Sequence, residues 1–101
     1  MRTFYVVHDG ITDQGFSGWL PGTSLSGESS LWDGSFDYDM NGNYTEVVDF
    51  MEFETAEEAH EAVGLITAEF LAAEPTGEID FQVFKVHVQP VTRIEYRVTN
   101  A

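Results

Sequence analysis

Between Thr3 and Phe84 the chain contains no lysine or arginine, although all but one of its 18 aspartates and glutamates lie in that window. The basic residues are Arg2, Lys85, Arg93 and Arg97, and the one acid outside the window is Glu95. The formal net charge of −14 is therefore a polarised stretch answered weakly near the end of the chain. Charge of this density repels itself in the compact state and bears on solubility and partners more than on fold. With no cation in the window, neighbouring carboxylates go unrelieved and apolar burial has to drive folding. The material is present: 43% of residues are hydrophobic and 14% aromatic, which argues against intrinsic disorder.

A length of 101 residues fits one domain, 1–101, that buries roughly 65% of its unfolded surface. There is no cysteine, so disulfides and thiolate metal sites are excluded, in keeping with a reducing compartment. The apolar run near the N-terminus is too short for a signal peptide. No stretch approaches the ~20 apolar residues that a membrane span requires. A surface this acidic is repelled by anionic lipid and by nucleic acid, so neither a membrane nor direct nucleic acid is expected as a partner. The expected location is the cytoplasm of a bacterial or archaeal host.

Periodicity predicts strand, loop, hairpin, helix and two further strands. Thr3–His8 is a short β-branched and aromatic run. Residues 9–31 form a long Gly/Ser-rich loop with room for a short strand around Gly15–Leu20. From Trp32 to Met40 apolar and polar residues alternate, Asn41-Gly42 signals a tight hairpin with positive φ at both positions, and Tyr44–Phe53 returns. Thr55-Ala-Glu-Glu58 reads as a capping box. The helix behind it, about 55–74, carries Ala59, Ala62, Val63, Ile66, Phe70 and Leu71 on one stripe and stops before Pro75. Ile79–Val88 changes apolar phase midway, which implies a bulge or burial on both faces, and Val91–Thr99 alternates again. The expected fold is α+β: an antiparallel sheet of four or five strands with one amphipathic helix packed on a face.

The acids are arranged in rows. Residues two apart on a strand lie ~6.7 Å apart on one face, and helix residues four apart have Cβ atoms ~5–6 Å apart. Asp37 with Asp39, Glu52 with Glu54, and Glu57 with Glu61 fit these spacings, which are of the order of phosphate separations along DNA. A surface so spaced would recruit lysines and arginines that normally neutralise phosphates. The candidate partner-binding residues are Asp37, Asp39, Glu46, Asp49, Glu52, Glu54, Glu57, Glu58 and Glu61. Phe16 and Trp19 from the long loop would add an apolar anchor, or would fold back over a sheet edge. Two other origins share this composition: adaptation to a high-salt cytoplasm, where charge is screened within ~3 Å at 1 M, and simple solubility.

Asp37-Tyr-Asp39-Met-Asn41-Gly42 matches the first half of an EF-hand loop, with oxygen ligands at positions one, three and five and glycine at six. Position twelve is Val48 where a bidentate glutamate belongs, and the preceding segment is a poor helix. A calcium-stabilised module using Asp37, Asp39 and Asn41 is thus the alternative reading; the main one has no cofactor. Catalytic signals are thin. His8-Asp9 is a possible acid–base or metal pair and His87 sits on another strand, but Gly15-Phe-Ser17-Gly18 is not a nucleophile elbow and no phosphate-cradling glycine loop leads into a helix.

Tyr5-Val6-Val7, Gly15 and Gly18-Trp19 resemble the opening of plasmid anti-restriction proteins, where a similar strand runs to a glycine and then a Gly-x-Trp. In size, acidity and lack of cysteine the chain is similar to the small inhibitors that phages and plasmids direct against restriction and CRISPR systems. The resemblance implies a non-enzymatic protein that blocks a basic nucleic-acid-binding protein or complex by imitating phosphate charge. Oligomeric state is open.

Overall fold

A computed structural model describes residues 2–21, 28–90 and 94–101, the side chain of Glu28 excepted. Leu25, and the first residues of the strand expected from Val91, lie outside the described residues. Alternation in the first run sorts its side chains to two buried faces. In β1 (Arg2–Asp9), Phe4, Val6 and His8 point one way while Tyr5 and Val7 point the other. Both faces are covered, so β1 becomes a central strand.

The 9–31 segment is more structured than a loop. It contains β2 (Gln14–Gly15), which pairs with His8 and Asp9, and a separate two-stranded sheet of β3 (Gly18–Pro21) and β4 (Glu28–Leu31). The expected hairpin follows as β5 (Ser35–Tyr38) and β6 (Tyr44–Val48). Its turn differs from expectation. Among the described residues only Gly42, at φ 80°, takes positive φ there, so Asn41 does not. The Gly42 N–H donates to the Asp39 carbonyl (3.1 Å) and the Asp39 N–H to the Asn43 carbonyl (2.9 Å), which closes a three-residue loop in place of a two-residue turn. Asp39 provides the reason: its Oδ1 accepts from the N–H of Asn41 and of Asn43, both at 2.9 Å, and holds the longer loop in shape.

Helix α1 (Ala56–Ala73) begins at Thr55, whose hydroxyl accepts from the Glu58 N–H at 3.2 Å. It ends before Pro75, with the Glu74 N–H donating to the Phe70 carbonyl. Its buried side chains are Ala59, Ala62 and Ile66. Two of these are alanines, which allows the helix to lie close on Val7 and Val83 of the sheet. Burying Ile66 alone is worth roughly 2 kcal/mol.

Two long strands finish the chain, β7 (Phe81–Pro90) and β8 (Ile94–Asn100). The register of β7 against β1 is unbroken, so its phase change is not a bulge. Instead Val83 meets the helix while Phe84, Val86 and Val88 enter a second core with Phe4 and Val6.

The fold is α+β, with six strands in the main sheet where four or five were expected, in the order β2-β1-β7-β8-β6-β5. The extra strand is two residues long and carries no periodic signal. The sheet curls nearly into a barrel. Paired backbone hydrogen bonds between Gly15 and Gly34, at 2.7 and 2.9 Å, join its two ends. Glycine is required at this seam: a Cβ on Gly34 would sit 2.9 Å from the Gly15 Cα, and one on Gly15 would run into the Phe50 ring.

Candidate functional site

The structure sorts the nine candidate carboxylates into distinct surroundings. Glu52 is paired: Arg2 Nη1 lies 2.5 Å from its Oε1, and the same guanidinium sits 4.6 Å from the Phe4 ring centroid. Asp39 is committed to the hairpin loop. Asp49 is exposed and has φ 59°, a left-handed conformation that aspartate tolerates better than most residues. Asp37 stands opposite Glu46 across β5 and β6 on the outer face. The shared hydrogen bond and negative charge of Asp37 push the Glu46 carboxyl above its ordinary value.

The remaining four, Glu54, Glu57, Glu58 and Glu61, form one group. All are exposed, and no ion pair with a described residue reaches any of them. Helical spacing puts Glu57, Glu58 and Glu61 on one side of α1, and Glu54 lies just ahead of the N-cap residue Thr55. The helix N-terminus sits beneath Glu57 and Glu58, and its positive end tolerates part of this charge. Leu65 follows Glu61 by one turn and is 63% exposed. It is an apolar side chain at the end of an acidic row, and sequence reasoning missed it. Its position on the wheel, four beyond Glu61 and off the buried stripe, was the available signal.

No family model, characterised protein or solved structure matches the chain. Its function has to be argued from its own geometry.

Phe16, expected as an accessible anchor, is a correction. It is 0% exposed, edge-on to Trp19 and Trp32 and stacked on Phe53, so it belongs to the core under the helix. Trp19 is partly buried against the same cluster. The rings fold back because the β3–β4 sheet is tied down from below. The Glu69 carboxylate accepts the Ser30 N–H at 3.1 and 3.2 Å, and Ser30 Oγ accepts from Trp32 Nε1 at 2.9 Å. Glu69, which looks like solvated helix surface in the sequence, is a structural tether.

Asp37 and Asp39 do not converge. Asp37 faces Glu46 on the outer surface while the Asp39 carboxylate accepts from its own loop. Among the described residues no three His, Asp or Glu side chains stand together as metal ligands. His8 pairs with Asp13 and not with Asp9: Nε2 donates to Asp13 Oδ1 at 2.9 Å. Its Nδ1 is buried without a partner, and the ring lies between Phe36 and Phe84 at 5.7 and 5.6 Å. A general base needs that nitrogen open to substrate, and here it is sealed. No helix among the described residues is long and apolar enough to cross a membrane.

Proposed function

We propose that the protein is a non-enzymatic acidic inhibitor that occupies the nucleic-acid site of a basic enzyme, of restriction or CRISPR type, by presenting phosphate-like charge. The observation that carries this reading is the exposed set of Glu54, Glu57, Glu58 and Glu61, which no ion pair with a described residue reaches. Three carboxylates on one side of a helix, with Glu54 just ahead of its N-cap, can meet several partner arginines and lysines at once, as successive phosphates do. Leu65 at the end of the row supplies an apolar contact that free DNA lacks. Association driven this way is fast at low salt and weakens steeply as salt rises.

The test is capture of a partner from host lysate at low salt, followed by competition with duplex DNA and by the variant E54Q/E57Q/E58Q/E61Q. The row's role predicts displacement by DNA, and a loss of affinity of about tenfold or more in a variant whose circular dichroism is unchanged. A partner that DNA does not displace, or that binds the neutralised helix equally well, would overturn the reading.

A further inference from the structure

Three dipeptides in the chain place glycine directly after an aspartate or asparagine: Asp9-Gly10, Asp33-Gly34 and Asn41-Gly42. At each, the glycine amide nitrogen can attack the preceding side-chain carbonyl carbon and close a five-membered succinimide, because glycine has no Cβ to obstruct the approach. A fold controls two requirements of that reaction. The glycine N–H has to leave its hydrogen bond before it can lose its proton, and the preceding side chain has to turn back over its own peptide.

The sheet withholds these from both aspartate pairs. The Gly34 N–H donates to the Gly15 carbonyl at 2.9 Å within the seam, and Gly34 is buried. The Gly10 N–H donates to the Asp80 carbonyl at 2.9 Å, and the Asp80 side chain fills the space beside Gly10. The Asp9 carboxylate is itself held, accepting from the Ile11 N–H at 3.0 Å and from the Thr12 hydroxyl at 2.8 Å. An ionised carboxylate is also a poorer electrophile than an amide.

Asn41-Gly42 differs on every count. Both residues are exposed in the β5–β6 loop, and nothing lies within 4 Å of where a Gly42 Cβ would stand. The Asn41 side chain makes no hydrogen bond with a described residue. The Gly42 N–H is engaged at 3.1 Å by the Asp39 carbonyl of the same loop, so releasing it breaks no pairing between strands. The other two asparagines, Asn43 and Asn100, precede Tyr44 and Ala101, whose side chains obstruct the attack.

We infer that Asn41 is a site of spontaneous modification, which deamidates to aspartate and isoaspartate in the folded protein. The Gly42 nitrogen gives up its proton to solvent and bonds to Asn41 Cγ. The Cγ–Nδ2 bond breaks, and Nδ2 takes a proton from solvent and leaves as ammonia. Water then adds to either succinimide carbonyl and opens the ring, one way to aspartate and the other to isoaspartate. Overall, water is consumed and ammonia released. Asp39 restrains the reaction: its Oδ1 holds the N–H groups of Asn41 and Asn43, and its charge opposes loss of a proton nearby. The product carries a new carboxylate beside Asp39, and isoaspartate lengthens the backbone that Asp39 braces, so modification loosens the hairpin. The acids of α1 take no part, and the inference stands or falls independently of the proposed function.

Peptide mapping by mass spectrometry after incubation of the intact protein in neutral buffer tests this, with isoaspartate detected by isoaspartyl methyltransferase and a labelled methyl donor. Conversion is expected at Asn41 and not at Asn43 or Asn100. N41Q, which could close only a slower six-membered ring, should stay unmodified in the loop. D39A should convert about fivefold or more faster than the wild type. Melting curves verify folding, and D39N replaces D39A if the latter unfolds. Incubation in urea isolates the effect of the fold: isoaspartate at positions 9 and 33 should form about tenfold or more faster than in the native protein, while the rate at Asn41 changes less. An Asn41 that keeps its amide, conversion at Asn43 or Asn100 as fast as at Asn41, an Asp39 variant no faster than the wild type, or equal rates at positions 9 and 33 with and without urea would overturn the inference.

Discussion

Glu46 faces Asp37 directly across the β5–β6 ladder, and hydrogen bonding to Asp37 and its negative charge raise the Glu46 carboxyl above its ordinary value. Glu46 is therefore easier to protonate folded than unfolded. With the folded value of Glu46 raised above its ordinary 4.5, the native state holds the proton more tightly, and stability falls as pH rises from that value through the raised one. Glu46→Gln removes the titration while keeping a donor toward Asp37. Melting temperature followed from pH ~4 to ~8 should fall less steeply in the variant than in the wild type. Parallel curves would show that the pair exerts no effect.

The glycine seam is a second point of fragility. Gly15→Ala drives a methyl into Phe50, and Gly34→Ala drives one against the Gly15 backbone. Each should destabilise the fold by about 1–3 kcal/mol, as overpacking does. Gly64→Ala, where a Cβ meets nothing, serves as the control and should be neutral or slightly stabilising. Urea unfolding measures all three, and a seam variant as stable as the control would mean the barrel ends are not joined this way.

Glu69 tethers the β3–β4 sheet to α1 through the Ser30 amide. Glu69→Ala removes a charge-assisted bond from a partly buried amide, an effect of about 1–2 kcal/mol on local opening. Hydrogen exchange at Ser30 should accelerate by about tenfold or more while amides of β1 and β7 keep their protection. Unchanged exchange at Ser30 would remove the tether.

Asp39 bears on the calcium alternative as well as on stability. If its carboxylate acts as the acceptor for the hairpin loop, Asp39→Ala costs about 1–2 kcal/mol in a metal-free buffer. Millimolar calcium then leaves the wild-type melting temperature where magnesium leaves it, because a ligand that binds the native state raises stability only as its concentration exceeds its dissociation constant. A calcium-specific rise in melting temperature that Asp39→Ala abolishes would establish the metal site.

Local chemistry was legible in the sequence wherever a short span is sufficient for the outcome. Thr55 caps the helix, Pro75 ends it, and the alternation of Thr3–His8 and of residues 94–99 sets which side chains face each core. The acidic row at the start of α1 was readable for the same reason, since helical spacing fixes it. What tertiary structure decided are the matters that depend on residues far apart in the chain. Phe16 looks like a loop ornament until Trp19, Trp32 and Phe53 converge on it. Gly15 and Gly34 look like ordinary loop glycines until the sheet curls and brings their backbones into hydrogen-bond contact. Glu52 looks like one more surface acid, and only the fold places Arg2 beside it. By itself the sequence determined how much negative charge this protein carries and on which local elements; the fold decided which of those charges are answered, as Glu52 is by Arg2, and which stand exposed on the surface.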